Sequence, residues 1–236
     1  MSNLTQKFGI LGGRLLPWIV GPAMIASLYL IFMVVPTEQD QGIVQRIFYF
    51  HVPSAWAAFT AFLVVCGASL GFLWKRDAAW DRVARASAEV GMVFCTLVLL
   101  TGPIWARPIW GSWWTWDPRL TMTVILWTIY ASYLLLRAFG GVEEQLARYA
   151  AVLGIVGAID IPLIIASVRL WRGIHPAVLM ARKGSGGGLH DPMMRVTLFF
   201  SGICFLLTFL WLMLVRLRTL RCEDEIESLH REIRPR

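Results

Sequence analysis

Two histidines stand beside prolines in apolar surroundings: His51 in Phe50-His51-Val52-Pro53-Ser54 and His175 in Gly173-Ile174-His175-Pro176. A neutral imidazole offers one nitrogen lone pair to a metal and donates a proton from its other nitrogen. Between them in sequence lies Trp110–Asp117, WGSWWTWD, with four tryptophans (Trp110, Trp113, Trp114, Trp116) in seven positions. If helical, this stretch sets Trp110, Trp113 and Trp114 on one face by i, i+3, i+4 spacing, as a broad apolar platform. Arginines able to grip carboxylates stand nearby in sequence: Arg46, Arg107, Arg119 and Arg172. A tetrahedral zinc site needs more donors than these segments offer, since they contain no cysteine. Sulfur ligands for copper would be limited to Met180, Met193 and Met194.

The elements that must position these residues are membrane helices. The 236 residues are 57% hydrophobic and 16% charged, with a mean hydropathy of +0.62. A soluble domain carries about 25% charge, so this chain cannot cover a wet surface of the required size. Disorder, a collagen-like fibre and a disulfide-stapled domain are excluded on the same grounds. Six apolar runs, at about 17–35, 55–74, 88–105, 120–136, 149–168 and 196–215, approach the roughly 20 residues needed to cross the hydrocarbon core. Backbone in lipid must satisfy its own hydrogen bonds, so the runs are predicted to be helices. The expectation is an all-α polytopic membrane protein: one domain over 1–236 with six transmembrane helices. The first run exceeds a signal-peptide core and is read as a retained helix.

Of 22 basic residues, 14 fall in 1–16, 75–87, 137–148 and 216–236, and 8 in the alternate connections. By the positive-inside rule both termini are expected in the cytoplasm, with His51, His175 and the tryptophan run on the outer face. The formal charge of +7 therefore reads as topology, and no nucleic-acid partner is expected. The last outer loop, with Arg169, Arg172, Arg182, Lys183 and Arg195, runs against that rule and suggests another requirement for positive charge. The tail 216–236 is predicted to be a short cytoplasmic helix. Cys66, Cys95 and Cys204 fall in helices and Cys222 in the tail; no C-x-x-C or C-x-x-C-H run occurs, so thiol exchange and covalent haem attachment are not expected.

An aromatic belt accounts for scattered residues such as Trp18, Trp74 and Trp127. The density at 110–117 is too high for a belt and points to a platform for a ligand or partner. Two imidazoles at one depth beside that platform suit haem, whose iron takes axial imidazoles, whose macrocycle packs on aromatic surface and whose propionates seek arginines.

The run Trp110 to Leu120, WGSWWTWDPRL, together with HVPSAW around His51 and His175 after the fifth helix, resembles the tryptophan-rich haem-handling membrane proteins. Within them it is similar to the CcmC family, haem exporter protein C of c-type cytochrome maturation, over nearly the whole chain. The resemblance implies His51 and His175 as axial ligands of a non-covalent haem b, with His190 in the same loop as the alternative second ligand. It implies Arg46 and Arg119 as propionate partners, with Trp110, Trp113, Trp114, Trp116 and Asp117 forming the signature surface. It further implies a protein of the bacterial inner membrane that is not an enzyme and presents haem at the periplasmic face. Its partners would be the chaperone CcmE, the ATP-binding cassette subunits CcmA and CcmB, and the small subunit CcmD. The chain has no Walker A run of its own.

Asp160, inside the fifth run, is read as a structural hydrogen-bonding group near the kink expected at Pro162, with a proton or ligand role as the alternative. The rivals are a membrane b-type cytochrome exchanging electrons with quinone and a haem or solute permease. Absence of histidine from all six runs disfavours the first, and a single mid-membrane carboxylate disfavours the second.

Overall fold

The computed structural model describes residues 3–139, 143–171 and 189–233. Among these, six long helices account for nearly all of the chain: α1 Asn3–Tyr29, α2 Phe48–Lys75, α3 Ala78–Trp110, α4 Pro118–Ala138, α5 Glu143–Leu170 and α6 Pro192–Ile233. All six carry a stretch long and apolar enough to cross a membrane. Five of the predicted runs lie inside their helices, and the first, 17–35, spans the second half of α1 and the π turn Leu30–Val34 that follows it. The helices run further than the runs because polar turns continue them past the hydrocarbon. Helix α6 has 42 residues, about 63 Å at 1.5 Å per residue, roughly twice the core thickness. The expected tail helix is therefore a continuation of α6, with no break at Arg216.

Local chemistry fixes the ends. Helix α1 passes into a π turn, Leu30–Val34, before Pro36 stops it. A 3-10 turn, Ile43–Ile47, feeds α2, and Arg76 at φ +54° closes that helix. The Asp77 side chain then caps α3 by accepting from Ala79 N at 2.8 Å.

Helix α2 is central, packing on α3, α5 and α6, while α4 leans on α5 and α1 on α6. Small residues let the backbones approach, as expected where lipid removes any hydrophobic drive between helices. A Cβ at Gly157 would sit 2.7 Å from Tyr130, and one at Gly154 2.8 Å from Val65. Into that space Tyr130 stacks on Phe62 at 3.7 Å and donates to Gly154 O at 2.9 Å. A second apolar cluster, Ile31, Val35, Phe48, Tyr49, Trp105, Met194 and Leu198, seals the end of the bundle that carries His51.

The two ends differ in how their arginines are held. Ion pairs gather at the end formed by the starts of α3 and α5 and the finishes of α4 and α6: Arg137 with Asp81, Arg82 with Asp224, Arg85 with Glu89, Arg148 with Glu144, and Arg216 with both Glu89 and Glu223. At the His51 end, Arg46, Arg107 and Arg195 give their protons to the carbonyls of Phe32, Gly111 and Leu189.

Candidate functional site

The site opens with a correction to the helix boundary. The second apolar run, 55–74, leaves His51 and Pro53 outside it, but α2 starts at Phe48 and runs through both. The preceding 3-10 turn already sets helical backbone, and Pro53 deprives only one carbonyl of its donor. Tertiary packing offsets that loss: Phe48, Tyr49 and Pro53 are all buried. His51 is consequently a helical side chain, 8% exposed. The argument against a helix-borne histidine falls with this.

The His51 ring is held on three sides. Nδ1 lies 2.9 Å from Thr101 Oγ1 of α3, the Trp105 ring stands 5.8 Å away between centroids, and Gly102 faces Cε1, where an added Cβ would lie at 3.5 Å and meet nothing else. Nε2 makes no hydrogen bond among the described residues, and the side chain lines a cavity.

That cavity, about 690 Å³ including its open mouth, runs between α2, α3, α4 and α5. Along α3 it reaches from Trp110 to Cys95, about 22 Å at the helical rise. Ala55, Ala58, Phe59, Val98, Leu99, Leu120 and Ile164 make most of its wall apolar. Pro103, also lining it, leaves the Leu99 carbonyl without a helical donor.

The tryptophan run is not helical beyond Trp110, which corrects the shared-face arrangement expected of Trp110, Trp113 and Trp114. Gly111 takes φ +74°, a conformation that L side chains rarely adopt, and ends α3. The next residues form a short connection: Ser112 Oγ donates to Trp114 O at 2.9 Å. Asp117, 8% exposed, then accepts from Arg119 N at 2.9 Å and caps α4, with Pro118 at its first turn. The turn divides the tryptophans. Trp110 and Trp114 line the cavity; Trp113 and Trp116 are 59% and 75% exposed, with Trp116 edge-on to Trp114 at 5.7 Å. The Trp114 Nε1 proton is buried without a hydrogen-bond partner among the described residues.

Arg119 lines the cavity from the first turn of α4, and its guanidinium has no ion pair within 4 Å among the described residues. Arg46 is not brought there. Its Nη1 donates to Phe32 O at 3.0 Å and its guanidinium lies 6.0 Å from the Phe32 ring centre, at the end of α1. His175 and Arg172 lie outside the described residues. His190 is exposed just before α6, and no third His, Cys, Asp or Glu gathers with His51 into a cluster for a bare ion among the described residues.

Trp105 was not anticipated. It follows Val98 and Gly102 at helical spacing, a stripe that marks the cavity face of α3. Asp160 also differs from expectation: it is buried, and its Oδ2 has no hydrogen bond among the described residues.

The family model described as heme exporter protein C matches residues 2–232. The chain is 35% identical to heme exporter protein C of Bradyrhizobium diazoefficiens, over 97% of this chain and 87% of the relative. It is 34% identical to heme exporter protein C of Escherichia coli, over 88% and 84%. A putative cytochrome c biosynthesis ccmC-like mitochondrial protein of Marchantia polymorpha is 32% identical over 76% of each chain. With this match end to end, the chain belongs to the heme exporter protein C family.

Proposed function

We propose that this protein holds haem b non-covalently at the periplasmic face of the inner membrane and presents it to an acceptor during c-type cytochrome maturation. The observation that carries the reading is the cavity lined by His51, which brings an imidazole, apolar walls and the Arg119 cation to one place. The donors suit that cargo. A porphyrin needs flat apolar surface, found at Trp105, Trp110 and Trp114; room beside the axial ligand, found at the bare Gly102; and partners for carboxylates, found at Arg119 and the Trp114 Nε1 proton. Haem would supply an iron whose axial positions accept imidazole.

The residues of the chain then have distinct tasks. His51 would hold the iron through Nε2. His175, five residues past the last residue of α5 in sequence, would supply a second imidazole. Arg119 fixes the macrocycle's orientation through a propionate. Trp110 and Trp114 exclude water from its face. The exposed Trp113 and Trp116 offer the acceptor a surface at the mouth.

With two imidazoles holding the group, an acceptor would have to displace one of them or reach an exposed edge. That acceptor is the chaperone CcmE, within an assembly of CcmA, CcmB and CcmD that hydrolyses ATP; the role of this chain is delivery and not catalysis. The distribution of basic residues supports an outer location for the site. A b-type cytochrome with two helical ligands is disfavoured: of the other described histidines, His190 is in a loop and His230 near the far end of α6.

The test is reconstitution of the purified chain with haem and measurement of transfer to a soluble haem chaperone. Transfer that requires His51 and His175 supports the reading. Haem reduction by quinol, without transfer, would replace it with the cytochrome reading.

A further inference from the structure

We propose that Thr101 is a positioning residue for His51, accepting the Nδ1 proton and thereby committing the imidazole to the tautomer whose Nε2 lone pair is available in the cavity. The consequence for ligand binding rests on the haem reading above; the proton assignment does not.

The argument is one of counting protons. Thr101 Oγ1 lies 2.7 Å from the carbonyl oxygen of Leu97, one turn earlier on α3. Two oxygens hold that separation only with a proton between them, and a carbonyl can only accept. The single hydroxyl proton of Thr101 is thus engaged on Leu97; the Val98 carbonyl, at 3.4 Å, is a distant second acceptor. His51 Nδ1 approaches the same hydroxyl oxygen to 2.9 Å. With the hydroxyl proton already placed, that contact is favourable only if Nδ1 carries the hydrogen. A neutral imidazole has one such proton, so Nε2 is left as a bare acceptor.

The surroundings reinforce the assignment. Nε2 has no hydrogen bond among the described residues, and the carbon between the two nitrogens, Cε1, faces the side-chain-free notch at Gly102. His51 lines the cavity, so the ring edge that Nε2 shares with Cε1 adjoins space that a ligand can enter. Metal-binding histidines are generally fixed through their second nitrogen in this manner, and loss of such a partner typically weakens metal binding about 10- to 100-fold. Thr101→Val keeps the shape of the side chain but removes the acceptor. The imidazole proton is then free to move to Nε2, where it blocks coordination, and apparent affinity falls with the competent fraction. Thr101→Ser keeps the acceptor.

The experiment is nitrogen-15 NMR of histidine-labelled full-length chain in lipid nanodiscs, without haem, with the His51 signals identified by their loss in His51→Ala. Wild type and Thr101→Ser are expected to show protonated Nδ1 and bare Nε2; Thr101→Val is expected to show a mixture or the reverse. Ferric haem titrated into the same samples should bind Thr101→Val about 10-fold more weakly than wild type, with Thr101→Ser matching wild type. A wild-type Nε2–H signal, or a Thr101→Val spectrum with the tautomer unchanged, overturns the proposal. If the tautomers behave as expected but wild type takes up no haem, the positioning role stands and the haem reading fails.

Discussion

At the scale of single residues, the account turns on which side chains share the cavity with His51. Arg119 is the cation placed there, and carboxylate recognition by a guanidinium is worth about 1.5–3 kcal/mol. Arg119→Gln should therefore weaken haem binding by at least about tenfold. The dimethyl ester of haem, which lacks the carboxylates, should bind wild type and variant alike in the same spectrophotometric titration. Gly102→Leu fills the notch against the imidazole. It should abolish uptake while leaving the helical circular dichroism unchanged; haem retained at wild-type affinity would place the ligand elsewhere. His51 and Arg119 were legible as candidates because each sits next to a run break with chemistry of its own. Arg46 donates to the Phe32 carbonyl, a contact that its place in the sequence does not reveal. Trp105 was hidden among apolar neighbours, visible only once its spacing from Gly102 is read on a helix.

At the scale of elements, the hydrophobic runs specified all six helices but not their ends. Ends are decided by caps and by packing, and these often lie outside the run. Pro53 looked like a boundary, yet the 3-10 turn before it and the buried face of α2 extend the helix to Phe48. The tryptophan run looked helical by spacing, yet Gly111 and the Asp117 cap bound a turn. Gly111→Val would force a β-branched residue to φ near +74°, costing about 1–2 kcal/mol and displacing Trp114. The expected outcome is weaker haem retention with Trp113 and Trp116 still exposed, read by haem titration together with fluorescence quenching. At the opposite end, Glu89 joins α3 to α6 through Arg216. Glu89→Gln should loosen the projecting part of α6, seen as faster proteolysis after Arg216 with no change in haem binding.

At the scale of the whole molecule, the ion-paired end and the end whose arginines rest on carbonyls are the two faces of one charge pattern. Carboxylates pair with the arginines of the first. At the second, Arg119 lines an apolar cavity, as an anionic macrocycle requires. The distribution of basic residues along the sequence predicts sidedness. With all native cysteines replaced, Trp113→Cys should react with a membrane-impermeant maleimide on spheroplasts, whereas a variant that keeps Cys222 alone, exposed on α6, should react only after the membrane is opened. Labelling in the reverse order would invert the topology and remove the periplasmic role.

The claim that haem is bound through His51 in this cavity is tested most directly by the absorption spectrum of the purified full-length chain loaded with ferric haem, compared with His51→Ala. The account predicts a low-spin, bis-imidazole spectrum in the wild type and its loss in the variant. An identical low-spin spectrum in His51→Ala would contradict it.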